Sequence, residues 1–265
     1  MNLLSSTSVF GFYTLLSRVL GYIRDILIAF FLGTSIYADA FFVAFRLPNT
    51  FRRLFAEGTF NAAFIPSYAE AKLEGKDSGK KFADEVFNLL LFFLIFLILI
   101  IEIFTPFVVY IIAPGFYEDP EKFSLAEEFT RITFPFLLFV SLSSFLSGVL
   151  NTNNKFAAAA AAPIVLNVVL ILSLILSFYF DKNFAKNLSI GVTLSGVLQF
   201  IILIFFTRKF YFPTIKLNLN FSKKIKFFFR KLLPSIFSSG VTQINILIGT
   251  IIASFQSGAV SYLYY

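Results

Sequence analysis

Seven apolar stretches, most of them close to or longer than about 20 residues, run through this chain, and an eighth begins after Gly258. A helix needs about 20 predominantly apolar residues to cross the hydrocarbon core of a bilayer. Hydrophobicity is continuous within each stretch rather than alternating, which excludes a transmembrane β-barrel. The sequence therefore predicts an all-α polytopic membrane protein with seven transmembrane helices and the start of an eighth. The predicted segments are 8–32, 37–66, 86–112, 130–150, 156–180, 188–206 and 232–256.

The composition agrees with a chain that lies in a bilayer. Hydrophobic residues make up 58% and charged residues 14% of the 265 positions, whereas soluble domains have about 25% charged residues. The sequence contains no cysteine and no histidine, which removes thiolate nucleophiles, imidazole bases and the commonest zinc ligands. An enzyme is therefore disfavoured, and neither a catalytic residue nor a metal site is expected.

Lysines and arginines are divided unevenly among the connections between the predicted helices. They are concentrated in the connections 67–85, 151–155 and 207–231, whereas the alternate connections hold few. Because short cytoplasmic loops carry the excess of basic residues, these connections and the N-terminus are predicted to be cytoplasmic. The basic run 223–231 is expected to lie on anionic membrane lipid, so the net charge of +7 does not indicate nucleic-acid binding.

Charged side chains interrupt the first two predicted helices. A charge that faces lipid at a helix centre costs about 2.5–3.5 kcal/mol, so these side chains are expected to face one another or water. Five of them are basic and three are acidic, and the difference leaves a net charge of +2. The eight residues are Arg18, Arg24, Asp25, Asp39, Arg46, Arg52, Arg53 and Glu57.

Two hypotheses account for these charges. Interhelical ion pairs, such as Arg18 with Asp25 and Arg53 with Glu57, could hold the bundle together. The positive excess instead favours an anion that enters the membrane interior. A guanidinium group stays charged, and its planar fork matches two phosphate oxygens, so clustered arginines suit a phosphate or pyrophosphate.

Helical phase places several of these residues on common faces. Ser17 lies seven residues before Arg24, and at 100° per residue the two share a face. In the second predicted helix, four charged residues fall within about 40° of one stripe, and they are Asp39, Arg46, Arg53 and Glu57. We therefore expect one polar stripe along that helix.

Five motifs in the chain can be compared with known families. They are "SRVLGYIRD" at 17–25, "ADAFFVAFRLPNTFRRLFAEGTFNAAFIPSYAE" at 38–70, "APGF" at 113–116, "ITFPF" at 132–136 and "LNTNNKF" at 150–156. They resemble the motifs of the MviN/MurJ-type lipid II flippases of bacterial peptidoglycan synthesis. Members of this family have fourteen transmembrane helices in two lobes. The resemblance implies a first six-helix lobe with its basic cytoplasmic connection at 1–231, followed at 232–265 by the first helix of the second lobe and the start of the next. We therefore expect the sequence to be the N-terminal portion of a longer protein.

The resemblance also implies roles for the charged residues. The substrate-binding residues would be Arg18, Arg24, Arg52, Arg53 and Ser17. The cavity or gating residues would be Asp39, Glu57, Asp25 and Arg46. A further cavity arginine of the family would lie just beyond the last residue of this sequence. We expect Arg18, Arg24, Arg52 and Asp39 to face one solvated cavity.

The function implied by the resemblance is transport without bond chemistry. An undecaprenyl-pyrophosphate-linked disaccharide-pentapeptide would cross the bacterial inner membrane, from the cytoplasmic to the periplasmic leaflet, by alternating access. The membrane potential, with or without a coupled monovalent cation, would drive it, and no cofactor is expected. The alternatives are an exporter of another polyprenyl-linked oligosaccharide or of drugs in the same superfamily, and a non-transport membrane scaffold or glycosyltransferase.

Overall fold

The computed structural model describes residues 3–56, 59–216 and 222–265, and within these ranges every regular element is helical. A short 3-10 helix covers Pro114–Glu118. The α-helices are α1 Leu3–Leu32, α2 Ile36–Ala56, α3 Thr59–Leu73, α4 Lys76–Ile103, α5 Thr105–Ile112, α6 Pro120–Thr133, α7 Phe136–Thr152, α8 Phe156–Phe180, α9 Phe184–Thr207, α10 Lys223–Ala253 and α11 Ala259–Tyr264.

Four helical segments of the described residues are long and apolar enough to cross a membrane. They are α4, α6 together with α7, α8 and α9, and the two halves of α10 add a fifth if they form one span. The prediction of an all-α membrane fold is confirmed. The predicted number of seven transmembrane helices is not confirmed, because α1 and α2 are not among these spans. These two helices carry the charged residues.

Several predicted segments differ from the helices that the structure contains. The segment 37–66 corresponds to α2 and α3, and the segment 86–112 is divided at Phe104, where α4 ends and α5 begins with a proline in its first turn. The predicted boundary between residues 231 and 232 lies inside α10. This helix begins at Lys223 because the Ser222 side chain accepts a hydrogen bond from the backbone N–H of Ile225.

Two hydrophobic clusters hold the described helices together. The first joins α2, α6, α8 and α9, and the second joins α3, α4, α7 and α10. Phe64 lies in the second cluster, where its ring stacks on those of Phe60 and Tyr68 and meets Phe145 at 4.8 Å between centroids. Gly148 on α7 permits this packing, since a Cβ at that position would lie 2.7 Å from Cδ1 of Phe64. Phenylalanine therefore supplies much of the core as well as surface for lipid.

The connection after α9 folds back onto α4. Asp84 accepts hydrogen bonds from the Tyr211 hydroxyl at 2.7 Å and from the Thr214 backbone N–H at 3.0 Å. Asn88, one turn further along α4, accepts a hydrogen bond from the backbone N–H of Lys216 at 3.0 Å. Burial of Tyr211 and the nearby Asp84 carboxylate raise the pKa of this tyrosine, which keeps its hydroxyl protonated and able to donate.

One face of the basic start of α10 packs on protein. Ile225, Phe228 and Leu232 are buried in the second cluster against α3 and α4, while Lys226 and Arg230 are exposed. The buried face has a protein partner because the preceding connection is anchored on α4. The expectation that this stretch lies on anionic lipid stays a prediction for its exposed face, which includes Phe227.

Candidate functional site

An open cavity of about 600 Å³ lies between α1, α2, α10 and α11. Among the described residues that line it, four arginines and one aspartate carry charge, which gives the wall a net charge of +3. These residues are Arg24, Asp25, Arg46, Arg52 and Arg53. We call this site the arginine cavity. It is large enough for a phosphorylated group, since small-molecule sites range from about 300 to 1,000 Å³.

Arg24 is held in a fixed orientation from two sides. Its Nε and Nη2 donate to Oδ1 of Asp25 at 2.9 and 2.6 Å, and its Nη1 donates to Oδ1 of Asn167 on α8 at 2.8 Å. Asn167 is buried, and its own amide donates to the backbone carbonyl of Ser17 at 2.9 Å. Asn167 therefore fixes the position of Arg24 relative to α1.

Arg52 and Arg46 of α2 also line the cavity and make different contacts. Nε of Arg52 donates to Oδ1 of Asn49, one turn earlier, at 2.9 Å. The side chain of Arg46 is 8% exposed, and its Nε and Nη2 have no hydrogen-bond partner among the described residues. Its Cζ lies 5.6 Å from the centroid of the Tyr264 ring, an attractive cation–π distance that satisfies no N–H group. Arg46 therefore brings unused donors into the cavity wall.

The structure brings together some of the residues predicted to share a cavity and separates others. Arg24 and Arg52 line the same cavity, and Arg53, Arg46 and Asp25 line it with them. Arg18 is exposed and is not among the described lining residues. It lies six residues before Arg24, and at 100° per residue this spacing places the two side chains about 120° apart around α1.

The predicted ion pairs have a different outcome. Asp25 pairs with its neighbour Arg24 rather than with Arg18. Ser17 does not line the cavity but lies behind it, in contact with Asn167. Glu57 lies outside the described residues, so its predicted pair with Arg53 stays a prediction.

Asp39, which was expected in the same cavity, is instead fully buried in a separate cluster. Its Oδ2 accepts hydrogen bonds from Nζ of Lys122 at 2.6 Å and from the backbone N–H of Gly258 at 2.9 Å. Its Oδ1 accepts from the backbone N–H and the hydroxyl of Ser261 at 2.9 and 2.6 Å. We call these four residues the Asp39 cluster. It ties the start of α2 to α6 and α11.

Asp39 does not line the arginine cavity, because helical phase predicts the face of α2 on which a residue lies but not its position along the helix axis. Asp39 shares a face of α2 with Arg46, but seven residues separate them by about 10 Å along the helix axis. At the level of Asp39, α6 and α11 cover that face. Gly258 makes this possible by its left-handed backbone, with φ of +77°, which brings its N–H onto the carboxylate.

Two residues of the site were missed by reasoning from the sequence. Lys122 lies in the connection between the predicted segments 86–112 and 130–150, where an exposed loop charge is expected, yet its side chain is buried, and its Nζ lies 4.2 Å from the centroid of the Phe116 ring. Asn167 stands in an otherwise apolar helix, which was the available signal, because an amide at such a position needs partners. Each of the two residues is more than 80 positions away in sequence from its partner in the site, so helical phase could not predict the contact.

Comparison with known proteins gives a consistent relationship. The family model described as lipid II flippase MurJ matches residues 28–265. All of this chain aligns with a probable lipid II flippase MurJ of Rhizobium tropici, at 41% identity, and with the lipid II flippase MurJ of Burkholderia cenocepacia, at 39%. The chain covers 51% and 52% of these two proteins, so it spans about half the length of the curated relatives it matches.

Solved structures agree with the sequence comparison. A lipid II flippase MurJ in an inward closed conformation superimposes with a TM-score of 0.82 at 28% identity, over 96% of this chain and 52% of that one. A MOP superfamily transporter from Pyrococcus furiosus superimposes with a TM-score of 0.67 over 97% of this chain and 58% of that one, and at 17% identity it shares the fold alone. The family match and the apolar helices together indicate a bacterial inner-membrane protein, and the chain belongs to the family of MurJ lipid II flippases.

Proposed function

We propose that this chain forms part of a flippase that moves lipid II, the pyrophosphate-linked peptidoglycan precursor, from the cytoplasmic to the periplasmic leaflet. The observation that carries the proposal is the positive excess in the arginine cavity, where Arg46 keeps two donors without a partner. Family membership supports the same substrate. No covalent bond is made or broken, so the protein acts as a transporter rather than as an enzyme.

A pyrophosphate suits the geometry of this cavity. Asp25 and Asn167 orient Arg24 before any substrate arrives, so little side-chain entropy is lost when an anion binds. The unused donors of Arg46 can donate hydrogen bonds to phosphate oxygens, and bonds between guanidinium and phosphate are roughly twice as strong as neutral hydrogen bonds. We assign Arg24, Arg46, Arg52 and Arg53 to the substrate, with Asp25 as the group that positions Arg24.

Asp39 is assigned to the gate. The Asp39 cluster joins the first turn of α2 to α6 and α11 through buried contacts. Opening this end of the cavity by a rocking motion requires these hydrogen bonds to separate. The similarity to a flippase structure described as inward closed supports the view that the cluster closes one end of the pathway.

Orientation and energy supply are further parts of the proposal. The basic connections favour a cytoplasmic N-terminus. The membrane potential is the proposed driving force, with or without a coupled monovalent cation, at about 2.3 kcal/mol per elementary charge per 100 mV. No cofactor is required, because the substrate changes leaflet without changing its bonds.

An exporter of another polyprenyl-linked oligosaccharide or of drugs is the alternative within the same superfamily. A drug site is mostly apolar with few polar groups, whereas four arginines line this cavity. An oligosaccharide linked through pyrophosphate would use the same arginines. The two lipid-linked substrates therefore have to be separated by experiment.

The test uses the protein expressed from its complete gene, in cells whose own lipid II flippase can be depleted. Lipid II that reaches the periplasmic leaflet and the amount of protein in the membrane are measured together. We expect restored translocation of lipid II, and no protection of the cells against cationic drugs, which the cavity would repel. Normal membrane abundance without lipid II translocation would overturn the proposal.

A further inference from the structure

A second, larger cavity of about 970 Å³ lies against α1, α8 and α9 and shares no lining residue with the arginine cavity. Four alanines of the run 157–162 on α8 line it, and their small side chains leave space between α1 and α9. Tyr13 and Leu16 of α1 and Ile202 of α9 complete an apolar wall. We call this cavity the alanine groove.

The groove has a basic rim at one end. Lys155 precedes α8, and Arg208 and Lys209 follow α9, and all three exposed side chains line the groove. They lie together because α8 and α9 form an antiparallel pair, which places the start of one beside the end of the other. No acidic residue occurs among the described lining residues, so the rim carries a charge of +3. This end therefore complements an anion.

Arg208 points along the wall of the groove. Its Cζ lies 4.0 Å from the centroid of the Phe205 ring, one turn earlier on α9. A guanidinium held over an aromatic face keeps the N–H groups at its edge available to donate hydrogen bonds. The rim thus offers an oriented donor rather than only a mobile charge.

A buried donor lies deeper in the groove. Gln199 is 4% exposed, and its Nε2 has no hydrogen-bond partner among the described residues. Nine residues, or about 13 Å along α9, separate it from Arg208, and both side chains line the groove. One lipid can bridge this distance when its phosphate accepts a hydrogen bond from Arg208 and one of its ester carbonyls accepts a hydrogen bond from Gln199.

We propose that the alanine groove binds an anionic glycerophospholipid of the surrounding bilayer. The phosphate lies at the rim of Lys155, Arg208 and Lys209, an ester carbonyl accepts from Gln199, and one acyl chain lies along the alanines. The groove follows α8 from Phe156 to Val165, or about 13 Å. This length is close to half of the roughly 30 Å hydrocarbon core, as one leaflet requires.

The position of the groove favours a lipid over other occupants. α8 and α9 are both apolar enough to cross the membrane, and Phe205 and Phe206 beside the groove are exposed. A lipid from the same leaflet therefore reaches the groove by lateral diffusion. The arginine cavity takes no part in this binding, so the inference does not depend on which substrate is transported.

The test is native mass spectrometry of the detergent-purified protein from its complete gene, titrated with phosphatidylglycerol or phosphatidylcholine. The first variant carries Lys155→Gln, Arg208→Gln and Lys209→Gln, which removes the rim charge. The second is Ala157→Trp, which fills the groove from an exposed position and leaves the core packing intact. The matched control carries Lys76→Gln, Lys80→Gln and Lys226→Gln, which removes three exposed charges elsewhere.

We expect the wild-type protein and the control to bind the first phosphatidylglycerol more tightly than phosphatidylcholine. Loss of the rim charge should weaken that first step at least about tenfold, since each basic residue near anionic lipid contributes to binding. Ala157→Trp should abolish binding of the first lipid molecule for both phosphatidylglycerol and phosphatidylcholine. Equal weakening in the control variant would overturn the proposal. Unchanged lipid binding in both groove variants would also overturn it, and this is the result expected if another part of the protein covers the groove.

Discussion

The Asp39 cluster and the arginine cavity both include residues of α2, but they differ in how far their charged groups are paired. In the cluster, one carboxylate meets one ammonium group and three further donors, and all four hydrogen bonds are 2.9 Å or shorter. In the cavity, four guanidinium groups face one carboxylate among the described lining residues, and two nitrogens of Arg46 lack a partner.

This difference separates charges that hold helices together from charges that are available to a ligand. A buried ionic group whose hydrogen bonds are complete resists any rearrangement that removes its partner. A buried guanidinium with unused donors is unfavourable in the empty protein, and an anion that enters the cavity relieves it. The two regions should therefore respond differently to substitution, the first in stability and the second in substrate binding.

The largest effect is expected from Asp39→Ala. The substitution leaves Lys122 buried without a counter-ion, and breaking a buried pair in this way costs about 3–5 kcal/mol. The measurement is thermal unfolding of the purified protein together with its yield from membranes. Combining Asp39→Ala with Lys122→Met should recover much of the loss, because both charges are then absent. A single variant that melts like the wild type would show that the cluster does not hold these helices.

A smaller effect, confined to transport, is expected at the cavity arginines. Arg24→Ala or Arg52→Ala should lower lipid II translocation about 10- to 100-fold, since a hydrogen bond to a charged group contributes about 1.5–3 kcal/mol. Arg→Lys keeps the charge but loses the planar fork, so its effect should be intermediate. Arg230→Ala on the exposed face of α10 serves as the control and should leave transport unchanged.

Transport is measured in cells alongside the membrane abundance of each variant. If both alanine variants translocate lipid II normally at normal abundance, the two arginines do not contact the substrate. If lysine restores full transport, charge rather than planar geometry is what the cavity supplies.

The smallest effect is expected at Asn167, which contacts Arg24 but does not line the cavity. Asn167→Leu keeps the volume and removes the hydrogen bonds to Arg24 and Ser17, a loss of about 1 kcal/mol, or roughly fivefold in transport. In an Arg24→Ala background the same substitution should have no further effect, because the group that it positions is gone. Additive losses would mean that Asn167 acts independently of Arg24.

The sequence predicted features that depend on local spacing and on the cost of charge in lipid. The helical membrane fold follows from continuous apolar stretches, and the joint position of Arg24 and Arg52 follows from the need of buried charges for a polar cavity. The break at Phe104 was missed because apolar residues continue across it, and only Pro106 marks the new helix.

Features that depend on depth and on distant contacts could not be predicted. Helical phase placed Asp39 on the same face of α2 as Arg46. Only the packing of α6 and α11 over the Asp39 end of that face separates the Asp39 cluster from the arginine cavity. The partners of Asp39 lie 83 to 222 residues away, and nothing in the local pattern of Lys122 distinguishes it from a loop lysine. Such contacts are properties of the folded bundle rather than of any one segment.

The most direct test of the difference between the arginine cavity and the Asp39 cluster is Arg46→Met, which removes the unpaired guanidinium but keeps an unbranched apolar side chain. Thermal unfolding and lipid II binding are measured on the same purified protein. We predict an unchanged or higher melting temperature, because an unsatisfied buried cation is gone, together with lipid II binding about tenfold weaker or more. A lower melting temperature with unchanged lipid II binding would contradict the account, since Arg46 would then support the fold and not the ligand.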